Sequence, residues 1–147
     1  MGCSALERSP EPEPTLGPKE GVFSDEYDRV WRAARIAMQN YPIRIDNMDK
    51  GILETDRIRA AIGWTPPHRN ADASGGKRYY LSLRVVKGAV QSRPATRVTV
   101  HKKSELQKDF FSDSKELPSD GLEEITILYR IQRELEIEKA LARAARR

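Results

Sequence analysis

The sequence predicts an α+β domain: an antiparallel four-stranded sheet packed by an N-terminal helix and a long C-terminal helix. Three observations carry this. Apolar residues alternate with polar ones through the middle of the chain, recur at threes and fours near both ends, and the two regimes are separated by Gly, Pro and Asn-Asp clusters. A length of 147 residues holds one such domain with a sizeable core.

Residues 1–21 (MGCSALERSPEPEPTLGPKEG) stand apart from that domain. Pro10, Pro12, Pro14 and Pro18 alternate with acids and Gly17, which disfavours both helix and paired strand. This stretch is an expected extended tether of partly polyproline II character, with residues 22–147 forming the single domain. Within it, Ser24 is a candidate N-cap ahead of Asp25 and Glu26, and Tyr27, Val30, Trp31, Ala34, Met38 and Tyr41 follow at helical spacing. Pro42 closes this helix, and Trp31 reads as core rather than as a ligand platform.

Ile43–Asp46 alternates, Asn47–Gly51 supplies turn residues, and Ile52–Ile58 runs on extended, a hairpin signal. Residues 61–76 (AIGWTPPHRNADASGG) hold too much Pro and Gly for regular structure; Trp64, His68 and Arg69 make them a candidate contact loop. Arg78–Val86 then places Tyr79, Leu81, Leu83 and Val85 on one face and Arg78, Tyr80, Ser82 and Arg84 on the other. After an irregular return over Lys87–Pro94, Arg97–His101 forms the fourth strand, with Val98 and Val100 inward and Arg97, Thr99 and His101 outward. Phe110 and Phe111 are expected to tuck under the sheet rim. The final helix runs from a cap at Ser119 or Asp120, with Glu123 at the capping-box position and Lys139, Arg143, Arg146 and Arg147 near its end. Leu122, Ile125, Leu128, Ile131, Leu135 and Leu141, widened by Ile127 and Ile137, form its expected buried stripe.

The net charge of +4 conceals a polarised chain. From Arg57 to Lys103 eleven Lys and Arg face one acid, Asp72, whereas Ser104 to Glu138 holds ten acids against Lys108, Lys115, Arg130 and Arg133. The predicted wet face of the sheet gathers Arg78, Tyr80, Arg84, Arg97, Thr99, His101 and Lys103. Such a face suits an acidic protein patch, an anionic lipid surface or, as the alternative reading, single-stranded nucleic acid or another polyanion.

Motifs for catalysis or metals are not evident. A calcium loop begun at Asp46 would need oxygen ligands where Met48 and Lys50 stand. His68 and His101 are the only histidines, no serine sits in a nucleophile elbow, and no Gly-rich loop leads from a strand into a helix. Glu54 and Asp56 share a strand face but have Arg57 and Arg59 beside them, so surface ion pairs are the expected outcome. No enzyme activity, cofactor or metal is expected.

Cys3 is the single cysteine, which excludes an internal disulfide or a Cys-based zinc site. Gly2-Cys3-Ser4 resembles the end of a bacterial lipobox, whose cysteine carries the lipid. The usual charged, apolar leader does not precede it here, so on this reading Met1 is an added start on a processed chain. A Met-Gly-Cys start for myristate and palmitate is the rival, but Leu6 stands where that motif takes Ser or Thr. The Trp31 helix, Tyr41-Pro42-Ile43 and Asp49-Lys50-Gly51-Ile52-Leu53-Glu54-Thr55-Asp56 are similar to a pattern in the BamC (NlpB) lipoprotein family: a Trp-centred helix, a Gly-aromatic-Pro-Ile element and a hairpin ending in Thr-Asp. The resemblance implies a helix-grip fold, a lipid on Cys3, the periplasmic side of an outer membrane, and a protein partner such as the β-barrel assembly machinery. This chain has one such domain where the best-known members have two, and Arg57 stands where an aromatic often follows the Thr-Asp pair. Candidate partner-binding residues are Trp64, His68, Arg69, Arg78, Tyr80, Arg84, Arg97 and His101.

Overall fold

A computed structural model describes residues 17–59, 76–106, 111 and 113–146. Its spine is a long hairpin. Strands β5 (Lys77–Val90) and β6 (Arg93–Leu106) pair antiparallel from end to end across the two residues Gln91 and Ser92. These hold φ of 49° and 62°, the two left-handed positions of a turn whose twist matches the strands it joins. The irregular return expected over Lys87–Pro94 is therefore mostly strand.

Around that hairpin lie β1 (Lys19–Phe23), β2 (Ile43–Asn47), β3 (Ile52–Thr55), β4 (Ile58–Arg59) and β7 (Lys115–Leu117). All described pairings are antiparallel, in the order β1-β6-β5-β3-β2, with β4 on β5 beyond β3 and β7 on β6 beyond β1. The described sheet thus has seven strands, not the expected four. β4 and β7 are too short for any hydrophobic period to announce them. β1 takes Lys19–Gly21 out of the expected tether, because Phe23 is buried and Gly21 lies so close to α2 (Leu122–Ala145) that a side chain there would meet Leu128.

The hairpin expected to run on to Ile58 breaks after Thr55. Its hydroxyl accepts the Leu81 N–H at 3.0 Å, and the Asp56 N–H turns to the Pro42 carbonyl at 2.7 Å. The chain re-enters the sheet as β4, directly on β5. Gly51 closes the turn before β3 at φ +64°, where a Cβ would collide with the Val85 carbonyl oxygen.

Helices α1 (Tyr27–Ala37) and α2 both lie on one face of the sheet. Val30, Trp31, Ala34 and Met38 meet Leu53, Leu81, Leu83, Val98 and Val100 from the strands and Ile127, Ile131 and Leu135 from α2. The fold is α+β in two layers. The α1 N-cap is Glu26 rather than Ser24, with no side-chain capping bond. At α2, Ser119 and Asp120 accept the Gly121 and Leu122 N–H groups.

The phase of the α2 stripe differs from the expected one. Ile127, Ile131 and Leu135 are buried together with Glu124, while Leu122, Ile125, Ile137 and Leu141 are exposed. Phe111 is 96% exposed and does not tuck under the sheet; Phe110 lies outside the described residues. Across the helix interface Lys139 holds the buried Asp25 carboxylate at 2.7 Å, and Arg29 and Arg32 reach Glu138 at 3.4 and 3.0 Å.

Candidate binding surface

With both helices on the inner face, no described element covers the outer one, and strand register dictates its contents. Side chains paired across an antiparallel ladder share a face, so each cross-strand row can be read from the pairing. Glu20, Thr99, Arg84 and Ile52 form one row and Val22, Arg97 and Val86 the next. His101, Ser82 and Glu54 form a third, Lys103 and Tyr80 a fourth, and Glu105, Arg78 and Arg59 a fifth. Arg78, Tyr80, Arg84, Arg97 and His101 therefore share one face, which no described element covers, as their alternation predicts. Cys3, Trp64, His68 and Arg69 lie outside the described residues.

The charges on this face are unevenly satisfied. Its acids are engaged: Glu54 pairs with Arg44, Glu105 with Arg57 at 3.7 Å, and Glu20 accepts the Thr99 hydroxyl at 3.1 Å. Among the described residues, no carboxylate lies within ion-pair distance of Arg59, Arg78, Arg84, Arg97 or Lys103. Arg59 and Arg78 even stand directly opposite each other, an arrangement that costs stability without an anion to bridge it. In place of the pairings expected from the sequence, Glu54 and Asp56 with Arg57 and Arg59, Glu54 pairs with Arg44 and Arg57 with Glu105, each partner on another strand.

Next to Tyr80 a cleft of about 410 Å³ opens between the β2–β3 and β5–β6 hairpins. Arg44, Glu54, Asp56, Arg57, Tyr80 and Glu105 are among the groups around it. The pattern did not single out Arg44 as part of the site; the β-bulge between Ile43 and Ile45 brings it to this face, and no bulge is written in residue order. Scanned against models of known protein families the chain matches none, and no characterised protein is similar enough to align with significance.

Chemically the face is equipped to bind. The row His101–Ser82–Glu54 holds the residue types of a hydrolase triad, but the serine stands in the middle, where the histidine would have to sit, and no hydrogen bond joins the three. Among the described residues no group of His, Cys, Asp and Glu is placed to hold a metal ion, and no described helix is long and apolar enough to cross a membrane.

The inner face has its own polar node. Glu123 accepts the Tyr41 hydroxyl at 2.8 Å and the Tyr79 hydroxyl at 3.2 Å, and meets Lys102 at 2.7 Å, while Lys102 lies 4.5 Å from the Tyr79 ring centroid. Burial, then the Glu123 charge, push Tyr79 up to about 12; burial and the Glu123 hydrogen bond raise Tyr41 further. Glu123 thus joins α2 to β5, β6 and the end of α1 instead of folding back as a capping-box carboxylate. The next residue on α2, Glu124, is fully buried, and among the described residues neither of its carboxylate oxygens has a hydrogen-bond partner.

Proposed function

We propose that the chain is a non-catalytic binding module. It is held by a lipid on Cys3 at the periplasmic side of a bacterial outer membrane, and it docks the outer face of its sheet on an acidic surface of an envelope protein. The observation that carries the binding half is the imbalance on that face: its acids are engaged, while among the described residues Arg78, Arg84, Arg97 and Lys103 have no acidic partner. Val22 and Val86, exposed beside Arg97, add the apolar contact a protein surface offers and a bare polyanion does not.

Support for the anchor comes from the Gly2-Cys3-Ser4 motif followed by a proline- and acid-rich spacer. A tether confines the domain near its partner and raises the effective concentration there. The helix-grip reading, with its likeness to the BamC family and a role as an accessory of β-barrel assembly, draws support from the long helix packed on one face of an antiparallel sheet. Nucleic acid is the weaker reading, since among the described residues Tyr80 is the one aromatic on the face and Glu20, Glu54 and Glu105 border the groove a strand would follow.

A photo-reactive residue in place of Tyr80, in protein expressed in its own host, tests the binding half. A crosslink to an outer-membrane protein supports it; a crosslink to nucleic acid, or none at this position, rejects it. For the anchor, Cys3→Ser should move the protein from the membrane to the soluble periplasmic fraction. Retention of that variant in the membrane through a high-salt wash rejects the anchor and leaves the sheet face standing.

A further inference from the structure

At one corner of the outer face two like charges stand in direct opposition. β4 pairs with β5 so that Arg59 lies opposite Arg78, and residues paired in this way share a face with their Cβ atoms about 5 Å apart. Both side chains are exposed. Among the described residues neither has a carboxylate within ion-pair distance. The acid best placed to come between them is Glu105, directly opposite Arg78 on β6. It is drawn elsewhere: its carboxylate meets Arg57 at 3.7 Å, at the cleft beside Tyr80. Lys103 lies diagonal to Arg78 across the same ladder and adds a third positive charge without an acidic partner among the described residues. Opposed like charges weaken a strand pairing, and here they act on β4, which is two residues long.

We propose that Arg59 and Arg78 clamp a phosphate monoester, with Lys103 beside it. The charge on the pair selects the ligand. Two guanidinium groups carry two positive charges, and a carboxylate or a phosphate diester brings one negative charge, which leaves the repulsion half compensated. A phosphate monoester brings about 1.5 to 2 negative charges at neutral pH and three acceptor oxygens. Those oxygens can take a two-bond fork from each guanidinium, the arrangement for which arginine is suited and lysine is not. A soluble phosphorylated molecule and a lipid headgroup both present such a group. The site lies on the same face as the protein-docking surface but stands without it, because it asks nothing of Arg84, Arg97 or the Tyr80 crosslink and is read on the isolated chain.

Titration of the full chain with inorganic phosphate near neutral pH, at constant ionic strength made up with chloride, tests the proposal. The Nε–Hε resonances of Arg59 and Arg78 are followed by NMR. Both are expected to shift together and to saturate at millimolar phosphate, and acetate should leave them in place. Arg59→Gln should weaken phosphate binding by at least about tenfold, and Arg59→Lys, which keeps the charge but loses the fork, by less. In chloride alone Arg59→Glu should raise the thermal midpoint by pairing with Arg78, and it should abolish the phosphate response. Measuring that response as the difference between variant and wild type cancels the general stabilisation that phosphate gives any protein.

The source of the group is read separately. Glycerol phosphate binding as well as inorganic phosphate, with no gain on phosphatidylcholine vesicles carrying phosphatidic acid, assigns a soluble phosphomonoester. Tighter binding to vesicles with phosphatidic acid than to vesicles with phosphatidylglycerol assigns a lipid. Shifts that never saturate overturn the proposal, as does acetate acting as well as phosphate. A phosphate response that Arg59→Gln leaves intact, or a midpoint in chloride that Arg59→Glu lowers, also overturns it.

Discussion

Replacing Glu124 by Leu should make this protein more stable. Glu124 is fully buried on the core face of α2, in line with Ile127 and Ile131, and among the described residues both of its carboxylate oxygens lack a hydrogen-bond partner. A buried polar group left unsatisfied costs about 1–3 kcal/mol, more if it carries charge. Leu removes that cost and adds apolar surface to a core that is already aliphatic at this point. At roughly 3–5 °C per kcal/mol for a domain of this size, the melting temperature should rise by about 5–10 °C. Glu124→Met, unbranched like glutamate, guards against a shape clash masking the gain. Thermal unfolding followed by far-UV circular dichroism gives the midpoint for each variant. An unchanged or lowered midpoint in both would refute the reasoning, because it would mean the carboxylate has a partner in the folded protein.

Three further outcomes follow from individual contacts. Tyr79 keeps its proton in the folded state up to about 12, while the unfolded chain loses it near about 10. Stability from this group is therefore full below about 10 and lost as the pH climbs towards 12; Tyr79→Phe should flatten that alkaline decline, read as urea midpoint against pH. Lys139→Met strands the 7%-exposed Asp25 carboxylate with only Arg29, 3.8 Å away, and should cost about 2–3 kcal/mol by urea titration. Substituting Asn-Gly for Gln91-Ser92 suits both left-handed turn positions and should gain about 1 kcal/mol in the same assay.

The parts of the fold legible in the sequence are those where one side chain's neighbours along the chain decide its fate. Tyr79 to Val85 and Val98 to Val100 alternate because one face is buried, and the structure sets those residues inward and Arg78, Tyr80, Arg84, Arg97 and His101 outward. Trp31 is 4% exposed, as its helical spacing predicts. What was not legible depends on partners distant in sequence. β1 is a strand because β6 offers it an edge, and its Lys-Glu-Gly start carries no period of its own. The long hairpin was hidden because Gln91 and Ser92 lack the Asn-Gly signature their conformation favours.

On α2 the sequence offers more apolar positions than one face can hold, so its spacing identifies a helix without fixing which stripe is covered. The sheet selects Ile127, Ile131 and Leu135, taking Glu124 with them, and leaves Ile125 and Leu141 out. The composition of the candidate surface was readable from alternation alone. Its electrostatic imbalance was not, since that depends on Arg44 and Arg57 reaching Glu54 and Glu105, which leaves the central arginines without an acidic partner among the described residues.

The central claim is that those unpaired bases bind an acidic envelope protein, and the yield of the crosslink at position 80 tests it most directly once charge is reversed. Arg84→Glu with Arg97→Glu should nearly abolish that crosslink, while Arg143→Glu with Arg146→Glu, at the far end of α2, should leave it unchanged. Equal yields from wild type and the Arg84/Arg97 variant, with the fold intact by circular dichroism, would contradict the account.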